Sequence, residues 1–352
     1  MRRSGGVLIT GGAGFVGTNL ADRLARTGTK VTVLDSLCRP GVQENLRWLT
    51  RRHGDSVRAV IGDVRDADTV AGAMRGAERV FHLAAQVAVT TSLVAPLEDL
   101  EVNVRGTLNV LEQARRQDTP PAIVFTSTNK VYGRLPDVEL CLGEDRYEPA
   151  DLLLRTHGIS ERQPLQFCSP YGCSKGAADQ YVLDYAHSFG LRACVLRMSC
   201  IYGPHQRGNE DQGWVAHFLI SALRNRPITI FGDGRQARDL LFIEDLLDAL
   251  LAASANERAL TGRAFNIGGG PRNAASVLEV VEMFGEHVRG GPPQVLWEDW
   301  RVADQRWYVS DTRAFEKLTG WRPRVGLAEG LAGLNDWLTG ETEVRRAAAA
   351  AS

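Results

Sequence analysis

Short apolar runs alternate with helical spacings along much of the chain. The first run, Val7-Leu8-Ile9, ends in a glycine cluster and leads into a helical pattern from Asn19 to Arg26. Lys30–Asp35 reads as a second strand, and a helical pattern between Arg39 and Arg52 turns Leu46 and Leu49 inward. Arg58–Val64 predicts a third strand; a further helix then precedes Arg79–Gln86, the fourth. Glu101–Gln117 spaces Val104, Leu108 and Leu111 along one helical face, and Ala122–Thr128 predicts the fifth strand. Ser169 and Pro170 suit the cap and first position of a helix that Gly190 can end, before a sixth strand at Arg192–Leu196. This alternation implies an α/β fold, a doubly wound parallel sheet covered on both faces.

The pattern is interrupted at Gly133–Phe167, which is irregular and polar and whose length predicts a loop over the site. Beyond Pro204 the alternation loosens into a helix at Asp211–Arg224, a strand at Ile228–Phe231, a helix at Glu244–Ala255 and a strand at Ala264–Gly268. Glycines and prolines around Gly290–Pro293 punctuate the remainder of the chain. The expected division is a larger domain over 1–200, with a returning segment near 239–267. A smaller α+β lobe from 201–238 and 268–340 closes over the crevice. Residues 341–352, Arg/Ala-rich from Arg345 to Ser352, are expected to fray.

A chain of 352 residues can bury cores for such a domain and lobe. A formal net charge of -1 offers no general attraction to nucleic acid or anionic lipid. No apolar run approaches the roughly 20 residues a membrane span needs. Met1-Arg2-Arg3-Ser4 is expected to enter the first strand without a signal segment. The 6 cysteines are scattered with no C-x-x-C pair, which suggests reduced thiols and a cytoplasmic protein. The 7 histidines show no metal-ligand spacing, so no metal is expected.

Chemistry enters at the glycine cluster. Gly12, Gly14 and Gly17 give G-x-G-x-x-G, while Gly11, Gly14 and Gly17 give a second reading with the same physics. Missing side chains let the backbone approach a pyrophosphate, whose charge then sits on the first N–H groups of the helix. Asp35 follows at the spacing where a carboxylate holds an adenosine ribose. Ser36 and Arg39 fall near the adenosine end, where Arg39 is either a contact or a solvated loop cation. Asp63 is placed to meet an adenine amino group, and small residues at Ala84 and Ala85 let a cofactor pass close to the backbone. Ligands of such sheets sit beyond the carboxyl ends of the strands, which puts Asp35, Asp63, Ala84–Gln86 and Thr126–Thr128 along one Rossmann-type crevice. His82 reads as a packed strand-end histidine rather than a catalyst.

Tyr171 and Lys175 stand four apart and so share a helix face. A tyrosine works as a base only if its pKa falls from about 10, and a fall of ~3 units needs about 4 kcal/mol of preference for the phenolate. A nearby lysine ammonium and an oxidised nicotinamide are the expected sources. Thr128 is placed to hydrogen-bond the reacting sugar oxygen.

Thr10–Gly17, His82-Leu83-Ala84-Ala85, Tyr171-x-x-x-Lys175 and Gly232-Asp233-Gly234 followed by Arg238-Asp239 resemble the extended short-chain dehydrogenase/reductases of the sugar-nucleotide epimerase/dehydratase group. The likeness runs from about Val7 to Trp337. Within the group, Ser127–Gly133, Ser169–Tyr181 and Asp211–Val215 resemble the branch that inverts carbon 2 of CDP-hexoses. The resemblance implies tightly held NAD, hydride removal and return through a transient keto-sugar, and a homodimer. It implies catalysis by Thr128, Tyr171 and Lys175. Cofactor contacts would come from Gly11, Gly14, Phe15, Val16, Asp35, Ser36 and Arg39, and from Asp63, Val64, Leu83, Ala84, Ala85, Gln86, Asn103 and Thr126. Substrate contacts would come from Thr90, Ser92, Asn129, Trp214, Arg238, Arg301 and Asp304. Gln166 and Cys168 depart from the family pattern at positions expected to flank the sugar pocket. Asn129-Lys130 supplies no carboxylate after Thr128, which disfavours the acid/base work of dehydration. Inversion at carbon 4 and net oxidation by NAD are the alternatives.

Overall fold

In the computed structural model, which describes residues 5–287 and 293–350, Gly6–Thr10 forms β1 and is buried beyond its first residue. Phe15–Arg26 (α1), Val31–Asp35 (β2), Val42–His53 (α2), Val57–Ile61 (β3), Ala67–Met74 (α3), Ala77–His82 (β4) and Ala122–Thr128 (β5) follow. Strands 193–198 and 264–267 complete a seven-stranded sheet in the order 264–267, 193–198, β5, β4, β1, β2, β3. Every pairing in it is parallel. The order reverses between β1 and β4, and a doubly wound sheet opens its ligand crevice at such a reversal. One face packs against α1 and the helix Ile243–Ala255, through Leu20, Leu24, Leu246 and Leu250. The other packs against α3 and the helices Gly106–Arg115 and Ser169–Phe189, through Val70, Val110, Leu111 and Val182.

The long helix expected over Glu101–Gln117 changes register. Pro96–Leu100 leads into a π turn at Glu101–Arg105, and α-helix resumes at Gly106. The wide turn rotates the inward face, so Asn103, Thr107, Val110 and Leu111 are buried while Val104 and Leu108 are only half-buried. The helix Ser169–Phe189 starts and stops as expected: the Gly172 N–H donates to the Ser169 hydroxyl at 3.2 Å, and Gly190 ends it at φ 68°.

The segment 133–167 is not a loop over the site. Leu140–Leu142 and Tyr147–Pro149 form an antiparallel hairpin, and Asp151 caps a short helix at Leu152–His157. It fastens to the C-terminal side of the molecule, where the Tyr147 hydroxyl donates to Asp233 at 2.6 Å and the Ile159 N–H to the Val309 carbonyl at 2.7 Å.

Strand Ala237–Phe242, invisible in the polar spacing of Arg238-Asp239, is the centre of a second sheet with Cys200–Tyr202, Ala274–Ser276 and Trp307–Tyr308. Trp214–Leu223, Val277–His287 and the final helix Leu327–Ala350 pack a further core around Leu219, Phe284, Leu331 and Leu334. Residues 341–350, expected to fray, continue that helix, as the strong helix propensity of alanine favours. The expectations for Met1–Ser4, for Gly290 to Pro292 and for Ala351–Ser352 lie outside the described residues.

Candidate active site

A cavity of about 1330 Å³ runs along the carboxyl ends of β1, β2, β4 and β5 and continues beneath Trp214, Arg238 and the 298–304 segment. A single small-molecule pocket is typically about 300–1,000 Å³, so this one has room for two ligands end to end.

At the dinucleotide end, a Cβ on Gly11 (φ +67°) would meet the Ala84 nitrogen at 2.8 Å, and one on Gly17 would meet the Gly11 carbonyl oxygen at 2.4 Å. Gly14 stands at the N-cap of α1 with no side-chain cap over the free N–H groups. This is a cradle that only a bare backbone makes, and its donors suit a pyrophosphate. Phe15, Val16 and Val64 line the same stretch, as do Leu83, Ala84 and Ala85. The Asp35 carboxylate accepts from the Ala13 N–H at 3.0 Å and the Leu37 N–H at 2.9 Å, which ties the ribose position to the glycine turn. Burial raises its pKa, against those backbone bonds. Ser36, Arg39 and Asp63 line the adenosine end, with Asp63 also gripped by the Arg65 guanidinium at 2.7 Å. These residues fit NAD. Gly11→Ala is expected to cost roughly 1–3 kcal/mol through forced φ and overlap. It should lower the melting temperature and the NAD content of the purified protein; unchanged values of both would show the cradle to be misassigned.

Three expected contacts do not line the cavity. Asn103 is 1% exposed and fully engaged: its Oδ1 accepts from the Gln86 N–H at 2.9 Å, and its Nδ2 donates to Ser174 at 2.9 Å and Asp99 at 3.2 Å. Gln86 folds back on the Ala88 backbone, donating at 2.8 Å and accepting at 2.6 Å. Ser92 is buried, and its hydroxyl accepts the Tyr171 N–H at 3.1 Å. Asn103 and Ser92 hold the helix Ser169–Phe189 against the segment 86–103, and Gln86 braces that segment from within. Gln166 and Cys168 likewise stand off the cavity. His82, 1% exposed, bridges Thr10 at 2.6 Å and Thr107 at 3.0 Å, and burial pushes its pKa down to about 3, so it packs as a neutral ring.

At the reacting end, Tyr171, Lys175, Thr126, Thr128 and Asn129 all face the cavity. The Lys175 ammonium donates to the Thr126 carbonyl at 2.7 Å and lies 4.2 Å from the Phe125 ring centre. Burial lowers its pKa to about 7, opposed by Asp179 and Asp99. The expectation that Lys175 lowers the Tyr171 pKa is not met by the chain's own residues. Burial pushes the phenol up to about 12; the Thr128 hydroxyl within hydrogen-bonding reach lowers it, Asp99 raises it and Arg39 lowers it. Desolvation dominates because the same dry pocket disfavours both the phenolate and the ammonium.

Toward the lobe, Arg238 donates to Asp304 at 2.7 Å, and the Lys130 ammonium stands 3.5 Å from the same carboxylate oxygen. Burial works to raise the Asp304 pKa, but Arg238 and Lys130 outweigh it and hold the carboxyl low. The Arg301 guanidinium lies 3.8 Å from the Phe231 ring centre and 3.9 Å from the Glu210 carboxylate. Trp214 and Thr90 complete the lining, and the Thr90 hydroxyl has no hydrogen-bond partner among the described residues. Sequence reasoning missed Lys130 and Phe231 as cavity-lining residues, and Gln305 as a support behind them. Gln305 accepts from Asn129 at 3.2 Å and so ties the strand end to the lobe. Only the position of Lys130 beside Thr128 carried a signal.

Comparison with known proteins fits this geometry. The model of the NAD dependent epimerase/dehydratase family matches residues 7–268. The chain is 40% identical to CDP-paratose 2-epimerase of Salmonella typhi over 338 residues, covering 94% of this chain and 98% of that protein. It is 34% identical to UDP-glucose 4-epimerase of Mycolicibacterium smegmatis, covering 92% and 96%. The crystal structure of Thermus thermophilus UDP-glucose 4-epimerase in complex with NAD superposes with a TM-score of 0.79 at 32% identity, covering 95% of this chain and 99% of that one. With a glycine cradle, a reversed parallel sheet and a Tyr171/Lys175 helix on one cleft, the chain belongs to the NAD dependent epimerase/dehydratase family.

Proposed function

We propose that the chain inverts carbon 2 of a CDP-linked hexose of the paratose/tyvelose type, with NAD held across turnovers. The observation that carries this reading is the set of groups beside Tyr171. Thr128 and Asn129 line the cavity with Lys130, and none of the three is a carboxylate. Elimination of water needs an acid and a base besides the tyrosine, whereas oxidation and reduction at one carbon do not. The 40% identity to the Salmonella typhi CDP-paratose 2-epimerase supports the choice of carbon and base.

Bound NAD supplies a reversible two-electron acceptor and an adjacent positive ring. Tyr171 takes the proton from the sugar hydroxyl, and Thr128 donates to the same oxygen. Arg238 and Arg301 hold the diphosphate while the ketone presents its opposite face. Tyr171 then returns the proton. Lys175, held by the Thr126 carbonyl, would orient the nicotinamide ribose. We propose a homodimer built on helices 89–115 and 169–189, which expose Leu93, Val94, Leu97 and Tyr181. Six cysteines without a disulfide support a reducing, cytoplasmic setting.

The test is incubation of the purified chain with CDP-, UDP-, GDP- and dTDP-sugars, followed by NMR. Carbon-2 epimers of CDP-paratose or CDP-tyvelose are expected, with no lasting reduced-nicotinamide absorbance. No inversion of these or of CDP-glucose would overturn the substrate; a lasting absorbance rise would favour net oxidation.

A further inference from the structure

Lys130 is a half-buried cation that the proposed chemistry does not use. It sits on the turn Asn129–Tyr132, directly after β5, and its side chain faces the cavity. Asp304 Oδ1 is already served by Arg238 at 2.7 Å and by the Gln305 N–H at 3.0 Å. The Lys130 ammonium stands at 3.5 Å from that oxygen, long beside the roughly 2.7–2.9 Å of a charge-assisted bond. Desolvation lowers its pKa and Arg238 repels it, while Asp304 pulls the other way without making up the difference. Two cations therefore share one carboxylate at the junction of strand end and lobe, leaving an excess positive charge facing the cleft. A half-buried ammonium with a long contact to its partner gains from an anion that comes close.

We infer that Lys130 is a specificity residue that binds an oxygen of the sugar-linked (β) phosphate of the nucleoside diphosphate sugar, exchanging its long contact with Asp304 for a close one. The inference rests on the nucleotide-sugar reading above and deepens it. Lys130 follows Thr128 by two residues, and its N–H donates to the Thr128 hydroxyl at 3.2 Å. Thr128 in turn reaches the Tyr171 phenol. A phosphate held by Lys130 therefore brings the anomeric end of the sugar to the reacting tyrosine. Carbon 2 is bonded to the anomeric carbon, whereas carbon 4 lies across the ring. The same lysine thus anchors the phosphate and selects the carbon.

The experiment is calorimetric titration of NAD-loaded wild type, Lys130→Met, Lys130→Gln and Lys130→Arg with CDP, UDP and the matching monophosphates. For whichever diphosphate wild type binds, Lys130→Met and Lys130→Gln are expected to weaken affinity roughly ten- to hundredfold, with little change for the monophosphate. Lys130→Arg should recover part of the loss. Either neutral variant suffices if the other does not fold. Unchanged diphosphate affinity overturns the inference, as does an equal loss for mono- and diphosphate. Wild-type preference for UDP would instead overturn the base proposed above, with the lysine comparison then read on UDP.

Discussion

Tyr171→Phe is expected to lower kcat by about 10²–10⁴-fold, the usual contribution of a positioned general base, while KM changes little. The ring stays in place, because the Ser92 hydroxyl holds the residue's own N–H and only the phenolic oxygen is removed. NAD content should equal that of wild type. The pH profile supplies the sign. Protonating the phenolate switches the base off, so wild-type activity falls as pH falls through the phenol's pKa in the loaded complex. That pKa must lie well below the value of about 12 that the phenol has among the chain's own groups, where burial dominates. The residual activity of Tyr171→Phe should lack this acid limb. Equal activity in the variant would remove Tyr171 from the chemistry and leave a nucleotide-binding protein.

What the sequence made legible depends on burial. Ala122–Thr128 is buried along its whole length and bounded by turns, so its apolar run and its extent coincide. The glycine cradle was legible because a tight turn against Ala84 tolerates no side chain, and only glycine can fill it. The site's nearest supports were not. Asn103, Gln86 and Ser92 read as ligand contacts, yet Asn103 and Ser92 are consumed in joining segment 86–103 to the Tyr171 helix, and Gln86 in bonds within that segment. A π turn has no hydrophobic period of its own, so the spacing of Val104 and Leu108 could not reveal the rotation that buries Asn103.

The same limit applies to the lobe. Ala237–Phe242 is buried while carrying Arg238 and Asp239, and the partners that make this tolerable are distant in sequence: Asp304 for Arg238, and the Gly270 and Ser310 N–H groups for Asp239. The pKa of Tyr171 was likewise beyond reach, since the helical spacing of Tyr171 and Lys175 says nothing of the Thr126 carbonyl that takes the lysine.

Asp179→Ala is expected to destabilise the protein by about 3–5 kcal/mol, the cost of leaving one member of a buried ion pair alone. Asp179 is 0% exposed, one turn beyond Lys175 on the catalytic helix, and receives Arg197 through Nε at 2.9 Å and Nη2 at 3.0 Å. Arg197 belongs to strand 193–198, so the pair bolts helix to sheet; without it the guanidinium keeps, among the described residues, the Tyr132 hydroxyl at 3.1 Å. A fall in melting temperature of roughly 4–7 °C is expected for a chain of this size, and an unchanged melting temperature would sink the argument. Activity adds a second reading, because Asp179 also raises the Lys175 pKa. Without it Lys175 loses its proton at a lower pH than the value of about 7 it has now, so activity that needs the ammonium should fade earlier as pH rises. The double change Asp179→Leu with Arg197→Met removes both charges and should restore most of the stability, as apolar replacements of buried pairs do. It should leave the altered pH profile in place, which separates the bolt from the charge.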